Sequence, residues 1–151
     1  MLASMIEIER LGPSDATRAR ALFAMMAEVF EEPAATLSDA YLARLLARPD
    51  FWALAAVEGS DVVGGLTAHA LMMTREEATE LFIYDVAVRT DRQRRGIGRQ
   101  LLDELRARAA VAGVDVCFVP AENEDAHALE FYRAIGGEPS PVTFFTFEGT
   151  R

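Results

Sequence analysis

The chain has 151 residues, with 15 basic and 24 acidic side chains and a formal net charge of -9 at pH 7. That size corresponds to one domain with room for a substantial core. No apolar run is long enough to span a bilayer and no basic-then-apolar leader opens the chain, so no membrane association and a cytoplasmic location are expected. Every basic residue is an arginine, which excludes a Walker phosphate loop because that loop needs its lysine. The single Cys117 can form no internal disulfide and, between Val116 and Phe118, reads as a buried strand residue rather than a catalytic thiol. His69 and His127 complete no metal-ligand spacing, so no metal is expected.

In chain order, Met5 to Leu11 reads as a strand ended by Gly12-Pro13. Ser14 then caps a helix to about Phe30, with Ala21, Leu22, Met25, Met26, Val29 and Phe30 at helical spacing. Glu31-Glu32-Pro33 breaks it. Ser38 caps a second helix carrying Tyr41, Leu42, Leu45 and Leu46, which Pro49 ends. Phe51 to Val57 and Val62 to Met72 form a hairpin through Glu58-Gly59-Ser60-Asp61. A polar loop from Thr74 leads to a strand over Glu80 to Val88, a helix over Gly96 to Ala112, a strand over Val114 to Val119, a helix containing Tyr132, and a final aromatic strand over Val142 to Phe147. Strand and helix alternation with hairpins points to an α/β fold.

The turn between the fourth strand and the third helix is the most informative segment. A helix opening at Gly96 leaves several N–H groups without helical acceptors, and its dipole favours an anion there. Gly96 and Gly98 let phosphate oxygens approach the main chain. Residues 89–108 hold seven of the fifteen arginines and three acids, so the rest of the chain has eight arginines and twenty-one acids. One anion-attracting patch on an otherwise cation-attracting surface follows, and a nucleic-acid partner is not expected. Just upstream, Asp85 sits in the centre of an apolar strand, where an unpaired charge is costly. Burial would raise its pKa towards that of a useful base. Glu80, at the start of the same strand, is the alternative base or an exposed strand end.

Gln93-x-x-Gly96-x-Gly98 after a valine-rich strand resembles the acetyl-CoA signature of the GNAT N-acetyltransferase superfamily. Ala128-Leu129-Glu130-Phe131-Tyr132, followed by Gly136, resembles that superfamily's second signature. The resemblance implies a single GNAT domain over residues 1–151, with a mixed, mostly antiparallel sheet flanked by about four helices. It implies acetyl-CoA as co-substrate, its diphosphate held by Gln93, Arg94, Arg95, Gly96, Ile97, Gly98 and Arg99. The pantetheine arm would lie beside Val86 and Val88, where a main-chain N–H could meet the acetyl oxygen. Tyr132 would protonate the departing thiolate, with no acyl-enzyme; a buried tyrosine anchoring its helix is the competing account.

Beyond the signatures, Arg10-Leu11-Gly12-Pro13, Ala53-Leu54-Ala55-Ala56, Val62-Val63-Gly64 and the Ile83-Tyr84-Asp85 strand resemble the aminoglycoside 3-N-acetyltransferases of the gentamicin type. That likeness implies a polycationic small-molecule acceptor bound by Glu28, Glu31, Glu32, Asp85, Glu122, Glu124 and Asp125, and a homodimer. Asp125 also reads as the cap of the Tyr132 helix. Asn123 and Ala126 depart from that subfamily's tyrosine and acid. A polyamine, another small amine or a protein amino terminus as acceptor, and a non-catalytic CoA-binding module, remain open alternatives.

Overall fold

The computed structural model describes residues 5–34 and 36–150, which fall into two compact units, Met1–Pro120 and Ala121–Arg151. In the first unit the strands β1 (Ile6–Arg10), β2 (Phe51–Glu58), β3 (Asp61–Met72), β4 (Thr79–Val88) and β5 (Val116–Phe118) form one five-stranded sheet in chain order. The first three pairings are antiparallel and β4/β5 is parallel. This is the mixed, mostly antiparallel sheet expected. Helices α1 (Ala16–Val29), α2 (Asp39–Leu46) and α3 (Ile97–Val111) belong to this unit, and α4 (Ala126–Ala134) to the second. No described helix is long and apolar enough to cross a membrane.

Two adjacent glycines of β3 reveal which helix covers which face. A Cβ on Gly64 would meet Ile97 (3.1 Å) and Leu101 (3.5 Å) of α3. One on Gly65 would run into the Leu22 side chain of α1 and lie 2.6 Å from the Leu54 carbonyl oxygen. Successive strand residues point to opposite faces, so α3 packs on one side and α1 on the other. On the α1 side, Ala19, Leu22, Met25 and Met26 join Leu42 and Leu46 of α2 over Ala53, Ala55, Val57 and Ala87. Because both faces are covered, β2 is buried at every position from Phe51 to Val57, which explains its unbroken apolar sequence. Burying each of the larger side chains contributes about 1.5–3 kcal/mol.

Three helices end in the same way. In α3 the N–H groups of Gly113 and Val114 donate to the Ala110 and Ala109 carbonyls (3.1 and 2.8 Å), and in α4 those of Gly136 and Gly137 donate to Arg133 and Tyr132 (3.1 and 2.8 Å). The residue in the left-handed region is glycine in both, with φ of 81° and 97°, as this reverse turn favours. In α1 the N–H groups of Glu31 and Glu32 donate to Glu28 and Ala27 (3.2 and 2.9 Å). Here the left-handed position is occupied by Glu31, φ 56°, which costs a residue with a Cβ about 1 kcal/mol.

Three expectations need correction. The cap of α1 is Asp15, not Ser14, and its carboxylate accepts from the Gly12 N–H (2.8 Å) instead of from the helix. The fifth strand is shorter than Val114 to Val119 and leaves Cys117 half-buried; burial pushes its thiol pKa up, opposite to an activated nucleophile. Val142 to Phe147 forms no strand, and Val142, Phe144, Phe145 and Phe147 are exposed. Aromatic composition favours a strand only where another backbone is there to pair with it, and no ladder partner meets this segment among the described residues.

Candidate active site

Strand β4 is locally irregular where its chemistry lies. Its register with β3 runs Phe82↔His69, Ile83↔Ala68, then Asp85↔Thr67, Val86↔Leu66 and Ala87↔Gly65, so Tyr84 is an extra residue, a β-bulge. Ile83 is buried with Ala68 on the face that Gly64 turns to α3. Asp85, opposite Thr67, lies on the same face as Gly65 and Ala87, the α1 side. The bulge therefore puts two successive side chains, Tyr84 and Asp85, on one face. Asp85 is half-buried and has no hydrogen bond or ion pair among the described residues. Burial raises its carboxyl pKa, and the negative charge of Glu32 at the end of α1 raises it further. The α1 turn thus brings the charge of the exposed Glu32 to bear on Asp85, and Glu28 and Glu31 of the same helix end are exposed as well. Glu80 lies on this face too, about 15 Å along the strand at roughly 3.3 Å per residue.

The far edge of β4 is open. Strand β5 pairs only with Glu80, Leu81 and Phe82, leaving Ile83 to Val88 without a strand neighbour on that side among the described residues. The Arg89 N–H donates to Val63 of β3 (2.8 Å). Main-chain groups in an antiparallel ladder alternate between partner and opposite side, so Arg89 and Ala87 bond to β3 while the N–H and C=O of Val86 and Val88 point to the open edge. The Val88 carbonyl accepts there from the Gln93 side-chain amide (3.0 Å), which ties the following turn to the strand.

That turn is also pinned at its outset. Arg92 donates through Nε and Nη2 to Glu58 Oε1 (3.1 and 2.9 Å), and both Arg89 and Arg92 pair with Asp91. These two arginines are structural. Arg94 and Arg95 carry no ion pair among the described residues and remain exposed. Arg94 (φ 65°) and Gly96 (φ 80°) both adopt left-handed backbone, which turns successive N–H groups into a concavity suited to an anion. The first helical bond of α3 runs from the Gln100 N–H to the Gly96 carbonyl (3.0 Å), so the N–H groups of Ile97, Gly98 and Arg99 lack helical acceptors. A Cβ on Gly96 would meet nothing within 4 Å, so the turn is uncrowded on that side. The donors of this concavity fit a diphosphate.

The second unit carries the remaining expected residues. Asp125 caps α4, accepting from the Ala128 N–H (3.0 Å), while Glu122 and Glu124 are exposed in the preceding turn. Tyr132 is half-buried, its ring 5.2 Å from that of Phe131. Gly137 lies so close to the Tyr132 carbonyl that a Cβ would stand 2.9 Å from it. A concavity of about 630 Å³ runs along Ala126, Leu129, Glu130, Arg133 and Ala134 of α4. Sequence reasoning gave Tyr84 no role beyond its place in the Ile83-Tyr84-Asp85 likeness, and its position on the face of Asp85 is new, because a bulge cannot be read from one strand without its partner.

A valine strand with an open edge, followed by an anion-binding helix entrance, is the frame of an acyltransferase that uses a nucleotide-bearing thioester. The chain belongs to the acetyltransferase (GNAT) family, whose pattern matches residues 18–136. It is therefore a GNAT-type N-acetyltransferase, and the family uses acetyl-CoA. Among solved structures, it is similar to the aminoglycoside acetyltransferase HMB0005 from an uncultured soil metagenomic sample (32% identity, 96% of this chain and 99% of that one, TM-score 0.90). It is likewise similar to the aminoglycoside acetyltransferase meta-AAC0020, also from such a sample and solved in complex with sisomicin (31% identity, 95% and 97% coverage, TM-score 0.89). The aminoglycoside N-acetyltransferase AAC(6')-Iy in complex with CoA shares the fold (15% identity, 97% of each chain, TM-score 0.80). No curated protein sequence matches the chain.

Proposed function

We propose that this protein transfers the acetyl group of acetyl-CoA to the 3-amino group of an aminoglycoside, by direct attack and without an acyl-enzyme. The observation that carries this reading is the unpaired, half-buried Asp85 on the bulge of β4 with Glu32 nearby, a negative site in the strand whose open edge aims N–H groups outward. Two relatives at 31–32% identity over nearly the whole chain are aminoglycoside acetyltransferases, one of them bound to sisomicin.

Acetyl-CoA supplies an activated thioester. The amides from Arg94 to Arg99, with the Arg94 and Arg95 guanidiniums and Gln93, hold its phosphates. The N–H of Val86 or Val88 donates to the acetyl oxygen as negative charge gathers there. Asp85 takes the proton from the acceptor ammonium, directly or through water, and leaves the amine free to attack. Glu80, about 15 Å from Asp85 on the same face, is placed to hold another ammonium of the acceptor, and it is the alternative base, acting through water, should Asp85→Asn leave the pH profile unchanged. Tyr132 donates the proton that the leaving thiolate requires, and the second proton that the nitrogen sheds on becoming an amide restores the tyrosine hydroxyl. Glu28, Glu31, Glu32, Glu122, Glu124 and Asp125 add negative potential for a polycation.

We further propose that residues 1–151 act as one domain, as the family match across both units supports, and that the enzyme works in the cytoplasm as a homodimer, for which the exposed apolar segment 142–147 is a pairing surface. Such an activity confers aminoglycoside resistance. The test is thiol release from acetyl-CoA with sisomicin, gentamicin, spermidine and peptides bearing free amino termini. Turnover with the first two, with the product acetylated at the 3-amino nitrogen, is expected; turnover with peptides alone would overturn the substrate assignment.

A further inference from the structure

On the α1 side of the sheet, next to Asp85, a row of aromatic rings crosses four strands: Phe51 of β2, His69 of β3, Phe82 and Tyr84 of β4 and Phe118 of β5. Neighbouring centroids are close, Phe51 to His69 at 5.3 Å, His69 to Tyr84 at 6.1 Å, Tyr84 to Phe82 at 5.9 Å and Phe82 to Phe118 at 5.0 Å. The row is not core along its whole length. Phe51 is 6% exposed, but Tyr84 is 62% and Phe118 40% exposed. A mid-strand tyrosine so exposed exists here because the bulge turns it onto the face of Asp85, while His69 and Phe82 meet it edge-on at 74° and 88° and hold its ring upright. Along β4 the Tyr84–Phe82 part of the row lies between charges, with Asp85 just beyond Tyr84 and within reach of the Glu32 charge, and Glu80 two residues before Phe82. No ion pair neutralises any of these three carboxylates among the described residues.

An apolar face between separated carboxylates selects for a ligand that is apolar between separated cations. We propose that Tyr84, supported by His69 and Phe82, is a platform for the ring face of a cyclic polyamine, holding one ammonium at Asp85 and another towards Glu80. This rests on the aminoglycoside reading and deepens it: an aminocyclitol or aminosugar ring offers C–H groups on its faces and ammonium groups on its rim. The aromatic faces bury the former and attract the latter. A flexible linear polyamine gains less, because it must be straightened to span the same carboxylates.

The experiment compares the wild type with Tyr84→Ala, Tyr84→Phe and Tyr84→Trp, measuring KM and kcat for sisomicin, spermidine and acetyl-CoA. For Tyr84→Ala the KM for sisomicin is expected to rise about five- to tenfold, with kcat and the KM for acetyl-CoA within about twofold of wild type; Tyr84→Phe and Tyr84→Trp are expected to restore it. A sisomicin KM unchanged in Tyr84→Ala, or one that neither aromatic replacement restores, overturns the platform while leaving the aminoglycoside reading standing. A wild type that acetylates spermidine or peptides but not sisomicin overturns both.

Discussion

Asp85 is a carboxylate kept in an environment that opposes its charge, and both the base role proposed for it and its cost to stability follow from that. Asp85→Asn should lower kcat/KM for the acceptor by about 100-fold or more, the contribution of a positioned base. The deficit should be greatest at low pH, where the amine is hardest to deprotonate, and a rate profile across pH checks this. The same substitution should stabilise the fold at neutral pH. Burial and Glu32 hold the folded pKa above the ordinary 3.8, so between the two values the folded chain keeps a proton that the unfolded chain has released. Stability then falls as pH rises through that window. Melting temperatures should favour the Asn variant at pH 7, and the gain should vanish below pH 3.8. Glu31 holds a second local cost, the left-handed backbone that glycine takes in α3 and α4. Glu31→Gly should raise stability by about 0.5–1 kcal/mol, seen as a melting temperature higher by about 1–4 °C, while weakening acceptor binding by removing a charge. Tyr132→Phe should lower kcat by about 100-fold, with CoA affinity, measured calorimetrically, unchanged.

At the scale of elements, the site depends on where strands stop pairing. Strand β4 is ten residues long but β5 only three, so the parallel partner ends at Phe82 and the main chain around Val86 and Val88 is left with open donors. The bulge at Tyr84 comes just after that end, so the open edge and the face change occur together. Helix α3 begins beyond the same strand. Its entrance needs Gly96 at φ 80°, and Gly96→Ala would introduce no clash, only backbone strain of about 1–2 kcal/mol. Titration with CoA should then show affinity reduced by about tenfold, with melting temperature lowered by about 2–8 °C.

For the whole molecule, the division of charge matters more than its total. The net charge of -9 lies over a surface in which Arg89 and Arg92 are spent on ion pairs, leaving Arg94 and Arg95 to face an anion. A polycation is drawn to the remainder by long-range attraction, which salt screens over about 8–10 Å at physiological strength. Raising sodium chloride from about 50 to about 500 mM should therefore increase the KM for sisomicin several-fold while leaving kcat little changed.

The order of strands and helices as far as α4, the caps at Ser38 and Asp125, and the glycine turn that opens α3 were all legible in the chain, because each depends on contacts between residues close in sequence or on an apolar period. Asp85 stood out for a similar reason, as a charge within an apolar strand. The shift of register that puts Tyr84 beside it depends on β3, and the approach of Glu32 depends on how α1 packs against the sheet. The failure of residues 142–147 to form a strand has the same origin: their composition suits a sheet, but a ladder requires a second backbone. Local sequence determined which groups the protein possesses and which segments could present them; tertiary structure alone decided which of those groups share a face, because strand pairing and helix packing join residues that no spacing along the chain connects.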